Sequence, residues 1–107
     1  MPITAATLLL CTVLAVSDGD TLTARCGDGA TTLTIRLAEI DAPERRQPFV
    51  VASRSSLSAL CMRQPAEVRP MTLDRWGRTV ARVACVGTDA SAAQVKAGLA
   101  WAFTKST

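Results

Sequence analysis

The chain has 107 residues, the size of one small domain, and contains no histidine and no tyrosine. The lack of imidazole excludes Ser-His-Asp, Cys-His and histidine-ligated zinc mechanisms, and leaves carboxylates, arginines, hydroxyls, thiols or a borrowed metal ion. The net charge of +3, from 12 basic and 9 acidic residues, permits a nucleic-acid partner without requiring one, and 49% hydrophobic residues exclude a disordered chain.

Met1 to Val16 is strongly apolar. Two readings compete here, a secretory signal and a first β-strand. No Lys or Arg precedes the run, it is too short to span a bilayer, and it flows into the turn Ser17-Asp18-Gly19-Asp20-Thr21. These features favour a strand over Thr7–Ser17. Strand two is predicted over Thr21–Cys26, ended by Gly27-Asp28-Gly29, and strand three over Thr31–Glu39, where Ile35 and Leu37 share one face.

A polar loop follows, from Asp41 to Pro48. A helix is predicted from about Phe49 to Met62, with Phe49, Ala52, Leu57, Leu60 and Cys61 as its apolar positions. Glu67–Leu73 and Arg78–Val86 read as strands four and five about an Asp74-Arg75-Trp76-Gly77 turn. Pro70 marks strand four as an edge or bulged strand. Asp89 is placed to cap a short helix over Ala90–Ala97, with Gly98 as its left-handed terminator and Leu99 in apolar contact behind it.

This order describes a mainly β, α+β domain spanning 1–107. It matches an OB-type five-stranded barrel with a helix between strands three and four and a short helix after strand five. A small β-sandwich with decorating helices is the alternative.

The four cysteines are Cys11, Cys26, Cys61 and Cys85. No C-x-x-C pair exists, which argues against structural zinc. If the chain turns at Asp18-Gly19-Asp20, Val16 faces Thr21, and counting outward brings Cys11 opposite Cys26. The remaining pair is Cys61 with Cys85. Two disulfides imply an oxidising compartment, periplasmic or secreted, although no convincing signal peptide is present. Buried free thiols are the alternative.

Asp18, Asp20, Asp41 and Glu44 lie near predicted turns, with Arg36 before Asp41 and Arg78 after the Asp74–Gly77 turn. Carboxylates on adjacent loops suit calcium. A hard cation with paired guanidiniums describes phosphoryl chemistry, with a carboxylate to handle water. Singly, each feature has a plain structural reading: Asp-Gly-Asp as a turn, Arg36 as a solvated strand residue, Asp-Ala-Pro-Glu as a helix-entry loop.

Four segments occur in order: Val16-Ser-Asp-Gly-Asp-Thr-Leu22, Ile35-Arg-Leu-Ala-Glu-Ile-Asp-Ala-Pro-Glu44 with Gln47-Pro48-Phe49, Asp74-Arg-Trp-Gly-Arg78, and Gly98-Leu-Ala-Trp101. Together they resemble the staphylococcal nuclease-like (thermonuclease) family, from about Cys11 to Phe103. The resemblance implies an OB-fold, calcium-dependent nuclease acting on DNA and RNA. Asp20 and Asp41 match its side-chain metal ligands, and Ala42 the position lending a backbone carbonyl. Asp18 is a nearby carboxylate. Glu44 matches the general base, and Arg36 and Arg78 the phosphate-binding arginines.

Arg75 and Trp76 match the positions that contact the substrate's terminal phosphate and base, with tryptophan where the family usually has tyrosine. The resemblance further implies 3′-phosphate products and a monomer without a membrane segment or stable protein partner. The family's usual third helix has no counterpart in this length. A non-catalytic OB-fold nucleic-acid-binding module is the competing reading, disfavoured by the presence of both Glu44 and Arg78.

Overall fold

The computed structural model describes residues 8–27 and 31–102. In chain order its elements are β1 (Leu9–Asp18), β2 (Thr21–Cys26), β3 (Thr31–Leu37), β4 (Ile40–Asp41), α1 (Val50–Cys61), β5 (Pro65–Leu73), β6 (Thr79–Cys85), β7 (Thr88–Asp89), α2 (Ala90–Lys96) and β8 (Trp101–Ala102). The first three long strands form an antiparallel meander. β5 pairs antiparallel with both β1 and β6, and a parallel β3–β6 contact closes the ring. The result is the expected OB-type barrel rather than a sandwich, with closure removing most exposed strand edges. The two-residue strands β4, β7 and β8 were not expected, because so short a pair carries no periodic signal.

Alternating positions on these strands fill the interior. Val13, Leu22, Ala24, Ile35, Leu37, Val68 and Ala81 are all fully buried. Each large side chain among them contributes roughly 1.5–3 kcal/mol on leaving water. Three aromatic side chains, Phe49, Trp76 and Trp101, all remain at the surface.

The β1–β2 register corrects one expectation and keeps another. Val16 pairs with Leu22 rather than Thr21, and Asp18 pairs with Thr21. Two irregularities in β1, between Val13 and Ala15 and between Val16 and Asp18, absorb the extra residues. Bulges of this kind bend and twist a strand, as a small barrel requires. Below them Cys11 still faces Cys26, and the disulfide joins them. The second disulfide, Cys61–Cys85, ties the end of α1 to the end of β6.

Both bridges lie at one end of the barrel. Cys26, Cys11, Ala66 and Cys85 form a cross-strand row through β2, β1, β5 and β6. The row Thr21–Arg36–Val80 lies at the opposite end of the strands. β5 is bulged between Pro70 and Thr72, and only its first half, Pro65–Val68, pairs with β1. Pro70 therefore sits where no hydrogen-bond donor is needed toward β1.

The end of β3 and the start and buried face of α1 differ from expectation, and several other element ends shift by one or two residues. β3 ends at Leu37, and Glu39 takes a left-handed φ of 68° in the turn to β4. Phe49 is not on the buried face of α1; it precedes the helix at φ 69° and is 69% exposed. The buried stripe of α1 is Ser53, Leu57 and Cys61 at i, i+4 and i+8, while Ala52 is exposed. Anchoring of Cys61 on β6 selects this phase.

α2 ends as expected. Gly98, at φ 74°, donates to the Val95 carbonyl, and the Leu99 N–H reaches the Gln94 carbonyl, a Schellman motif. Asp89 caps its start by accepting from the Ala92 N–H at 2.8 Å. Thr7, Asp28, Gly29 and Phe103 lie outside the described residues.

Candidate active site

The loop after β3 is shaped by Arg36. Its Nη1 donates to the carbonyls of Leu37 at 2.8 Å and Ile40 at 2.7 Å, which stitches the left-handed turn at Glu39. A non-glycine residue there costs on the order of 1 kcal/mol, and these bonds offset it. Ser91 Oγ on α2 donates to the Ala38 carbonyl at 2.9 Å, and Arg82 pairs with Glu39, so the turn is held from outside as well. The reversal returns Asp41 to Arg36, whose Nη2 donates to Asp41 Oδ1 at 2.5 Å.

Asp20 reaches the same guanidinium from the β1–β2 turn, with Oδ2 at 3.4 Å from Nη1. Two carboxylates thus bracket one cation, although 21 positions separate them in the chain. Asp20 is fixed further: Thr21 Oγ1 donates to Oδ1 at 2.9 Å, and the Ala42 N–H donates to Oδ2 at 3.0 Å. The second bond brings the Ala42 backbone against Asp20. Arg36 uses three of its five N–H donors on Leu37, Ile40 and Asp41, leaving Nε and one Nη2 hydrogen for a ligand.

Below Asp20 lies a buried polar network that sequence reasoning did not find. Gln94, 1% exposed, donates from Nε2 to the Gly19 carbonyl at 2.8 Å and the Ser53 carbonyl at 2.9 Å. Ser53 Oγ, fully buried, donates to the Leu99 carbonyl at 2.7 Å. The Gly19 carbonyl belongs to the peptide that leads into Asp20, so Gln94 fixes the plane from which Asp20 departs. The Asp20 carbonyl in turn accepts from the Leu37 N–H at 2.7 Å. Among the described residues, Gln94 Oε1 is buried without a hydrogen-bond partner. Only a Gln on a mostly apolar short helix could have signalled this role.

The β5–β6 turn is organised by Asp74. Its Oδ1 accepts from the N–H groups of Trp76 and Arg78, both at 2.9 Å, and its Oδ2 from Arg78 Nε at 2.6 Å. Partial burial pushes the Asp74 carboxyl upward. The hydrogen bonds from Arg78 and Trp76, with the Arg78 charge, outweigh that and hold it below the usual aspartate value of 3.8. The guanidiniums of Arg75 and Arg78 lie over the Trp76 ring at 5.1 and 5.4 Å, within cation–π range. Trp76 is 70% exposed, and both Nη groups of Arg78 lack hydrogen-bond partners among the described residues.

The remaining residues sit apart. The exposed loop between β4 and α1 carries Glu44, whose N–H donates to Gln47 Oε1 at 2.6 Å, while the Gln47 N–H donates back to the Glu44 carbonyl. Among the described residues, no hydrogen bond or ion pair joins its carboxylate to Asp20, Asp41, Arg36 or Arg78. No hydrogen bond or shared ion pair joins Asp18 to the Asp20–Asp41 pair among the described residues. Asp18 lines an adjoining cleft of about 420 Å³ with Ser17, Arg45, Val50, Val51 and Arg54. The β4–β8 pair sets Trp101 opposite Asp41, a neighbour the sequence did not disclose.

The donor set tests the metal expectation. Oxygen donors converge at Asp20 and Asp41, they already share one cation, and neither histidine nor thiolate competes, so the residues fit a hard divalent ion such as calcium. Among the described residues, however, no group of three or more His, Cys, Asp or Glu side chains forms a metal cluster, so carbonyl or water oxygens would have to complete the shell.

The family described as staphylococcal nuclease homologue matches residues 34–107, more than half of the chain. An uncharacterized endonuclease of Haemophilus influenzae is 40% identical over 93 residues, covering 87% of this chain and 52% of that protein. A micrococcal nuclease of Shigella flexneri is 36% identical over 100 residues, covering 85% of this chain and 56% of that protein. An uncharacterized endonuclease of Escherichia coli O157:H7 is 34% identical over 92 residues, with 85% and 59% covered. The chain thus spans about half the length of the curated relatives it matches.

Proposed function

From the premise that the chain belongs to the staphylococcal nuclease-like family, we propose that it is a calcium-dependent nuclease hydrolysing phosphodiester bonds of DNA and RNA. The observation that carries the reading is the convergence of Asp20 and Asp41 on one cationic centre, beside an arginine with N–H groups to spare. Asp20, Asp41 and the Ala42 carbonyl would hold the ion. When bound, it supplies Lewis-acid stabilisation of charge on the phosphate.

The chain's own residues account for the rest. Arg36 and Arg78 hold the non-bridging phosphate oxygens through their free N–H groups. Glu44 takes a proton from the attacking water, whose oxygen bonds to phosphorus in line with the departing 5′ oxygen. That oxygen takes a proton from Arg78 or an ordered water, and the product ends in 3′-phosphate. Arg75 and Trp76 engage the substrate's terminal phosphate and base, the indole by stacking. The disulfides agree with an extracellular or periplasmic setting, and no helix among the described residues is long and apolar enough to cross a membrane. We read the chain as a monomer.

The deciding assay incubates the protein with single-stranded DNA, duplex DNA and RNA, in calcium or in EGTA. Cleavage in calcium and none in EGTA is expected. Binding without cleavage in calcium would support a nucleic-acid-binding module instead.

A further inference from the structure

We propose that Trp101 is a nucleobase-stacking site beside the reacting phosphate, an assignment that rests on the nuclease reading above. In the antiparallel β4–β8 pair, Asp41 lies directly opposite Trp101 and Ile40 opposite Ala102. Directly opposed residues present their side chains on one face of a sheet, with Cβ atoms about 4.5–5.5 Å apart. Ile40 is turned inward at 2% exposure, so the Asp41–Trp101 row faces solvent. The Asp41 carboxylate holds Arg36 Nη2, so indole, carboxylate and phosphate-binding guanidinium follow one another along the surface.

Trp101 is 56% exposed, in a chain whose core contains no described aromatic. The backbone leading to it is nonetheless fixed. The Leu99 N–H closes the α2 terminus, the Leu99 carbonyl is held by Ser53 Oγ at 2.7 Å, and Ala100 is buried. An exposed indole on a rigid base is preorganised for a flat apolar ligand. The ligand chemistry follows from the neighbour: a group delivered beside a bound phosphate, with a π face, is the base of the same nucleotide chain.

Trp76 is the counterpart on the other arginine, lying 5.4 Å from the Arg78 guanidinium. Each phosphate-binding arginine therefore has an exposed indole within one residue of contact. A strand that engages both arginines finds an exposed indole near each. Stacking tolerates any base, which suits cleavage without sequence preference.

The test compares oligothymidylate with an abasic oligomer of equal length, in calcium, by KM and by binding anisotropy. Wild type should favour the base-bearing strand. Trp101→Ala should lose about tenfold of that preference, by weakening the base-bearing strand alone, and Trp101→Phe should restore most of it. Melting temperature and calcium affinity should not change in Trp101→Ala. In a Trp76→Phe background, the Trp101 emission should quench with oligothymidylate and not with the abasic strand. Equal weakening on both strands, or an undiminished base preference in Trp101→Ala, overturns the assignment while leaving a cleaving wild type as a nuclease. A wild type that neither cleaves nor binds overturns both readings.

Discussion

Gly19 packs against Ser53 so closely that a Cβ on Gly19 would lie 1.8 Å from Ser53 Oγ and 2.8 Å from Ser53 Cβ. The glycine of the Asp-Gly-Asp turn is thus required by close approach of a helix. Its smallness lets α1 and α2 grip the turn that carries Asp20. Gly19→Ala is expected to cost about 1–3 kcal/mol as an overpacking defect and to weaken calcium binding. Ser53→Gly in the same chain should recover part of both losses. Urea unfolding and calorimetric titration measure them, and a Gly19→Ala chain of wild-type stability would contradict the packing.

Glu44 lies exposed in a loop, and the Arg78 side chain bonds only to Asp74 within the β5–β6 turn among the described residues, so neither side chain holds the barrel strands together. Glu44→Gln should lower kcat by about 10²–10⁴-fold with the melting temperature unchanged. Arg78→Ala should lower it by about 10²–10³-fold. Arg36→Ala differs, because the carbonyls of Leu37 and Ile40 lose their donor with it. That variant should lose stability as well as turnover. Full activity in Glu44→Gln removes the proposed base.

The two disulfides close sequence separations of 15 and 24 residues. In the chain-entropy model each stabilises by about 3 kcal/mol or slightly more. For a domain of this size that is a large part of the whole folding free energy. Dithiothreitol should lower the melting temperature by more than about 10 °C. The staples lie at the end of the barrel away from Asp20 and Arg36, so mild reduction should loosen the cysteine end first. Hydrogen exchange in Cys26 and Ala66 should rise before that of Thr21 and Leu37. An unchanged melt would show that the core suffices alone.

Asp74 holds the β5–β6 turn as a carboxylate, with its pKa below 3.8. A pKa lower in the folded chain than in the unfolded one stabilises the fold fully above the unfolded value. The contribution is lost as pH falls through the folded value. The Trp76 environment should therefore be constant down to about pH 4 and change only below it. Asp74→Asn should abolish that acid transition. Indole emission against pH reads both, and a transition near neutral pH would contradict the assignment.

The turn that carries Asp20 and one cysteine pair were legible because local chemistry carries them. Asp18-Gly19-Asp20 read as a turn, and Cys11 and Cys26 faced one another by counting, despite two bulges that no pattern in Leu14 or Ser17 announces. The β-strand reading of the apolar start was borne out from Leu9 onward. Phe49 was misplaced because an apolar residue before a helix resembles the first residue of its buried face. The left-handed backbone there turns the ring to solvent.

The sequence by itself determined the order of the long strands and helices and the supply of carboxylates and arginines, since these follow from period, turn chemistry and composition. It favoured the barrel over a sandwich and paired cysteines over free thiols, and barrel closure and the two bridges decided both. Only the tertiary structure decided that Gln94 grips Gly19 across 75 positions, that Asp20 and Asp41 meet on Arg36, and that Trp101 stands beside Asp41. Barrel closure makes such contacts: it joins strand ends and helices whose sequence separation leaves no periodic trace, and two-residue strands set the last neighbours by register alone.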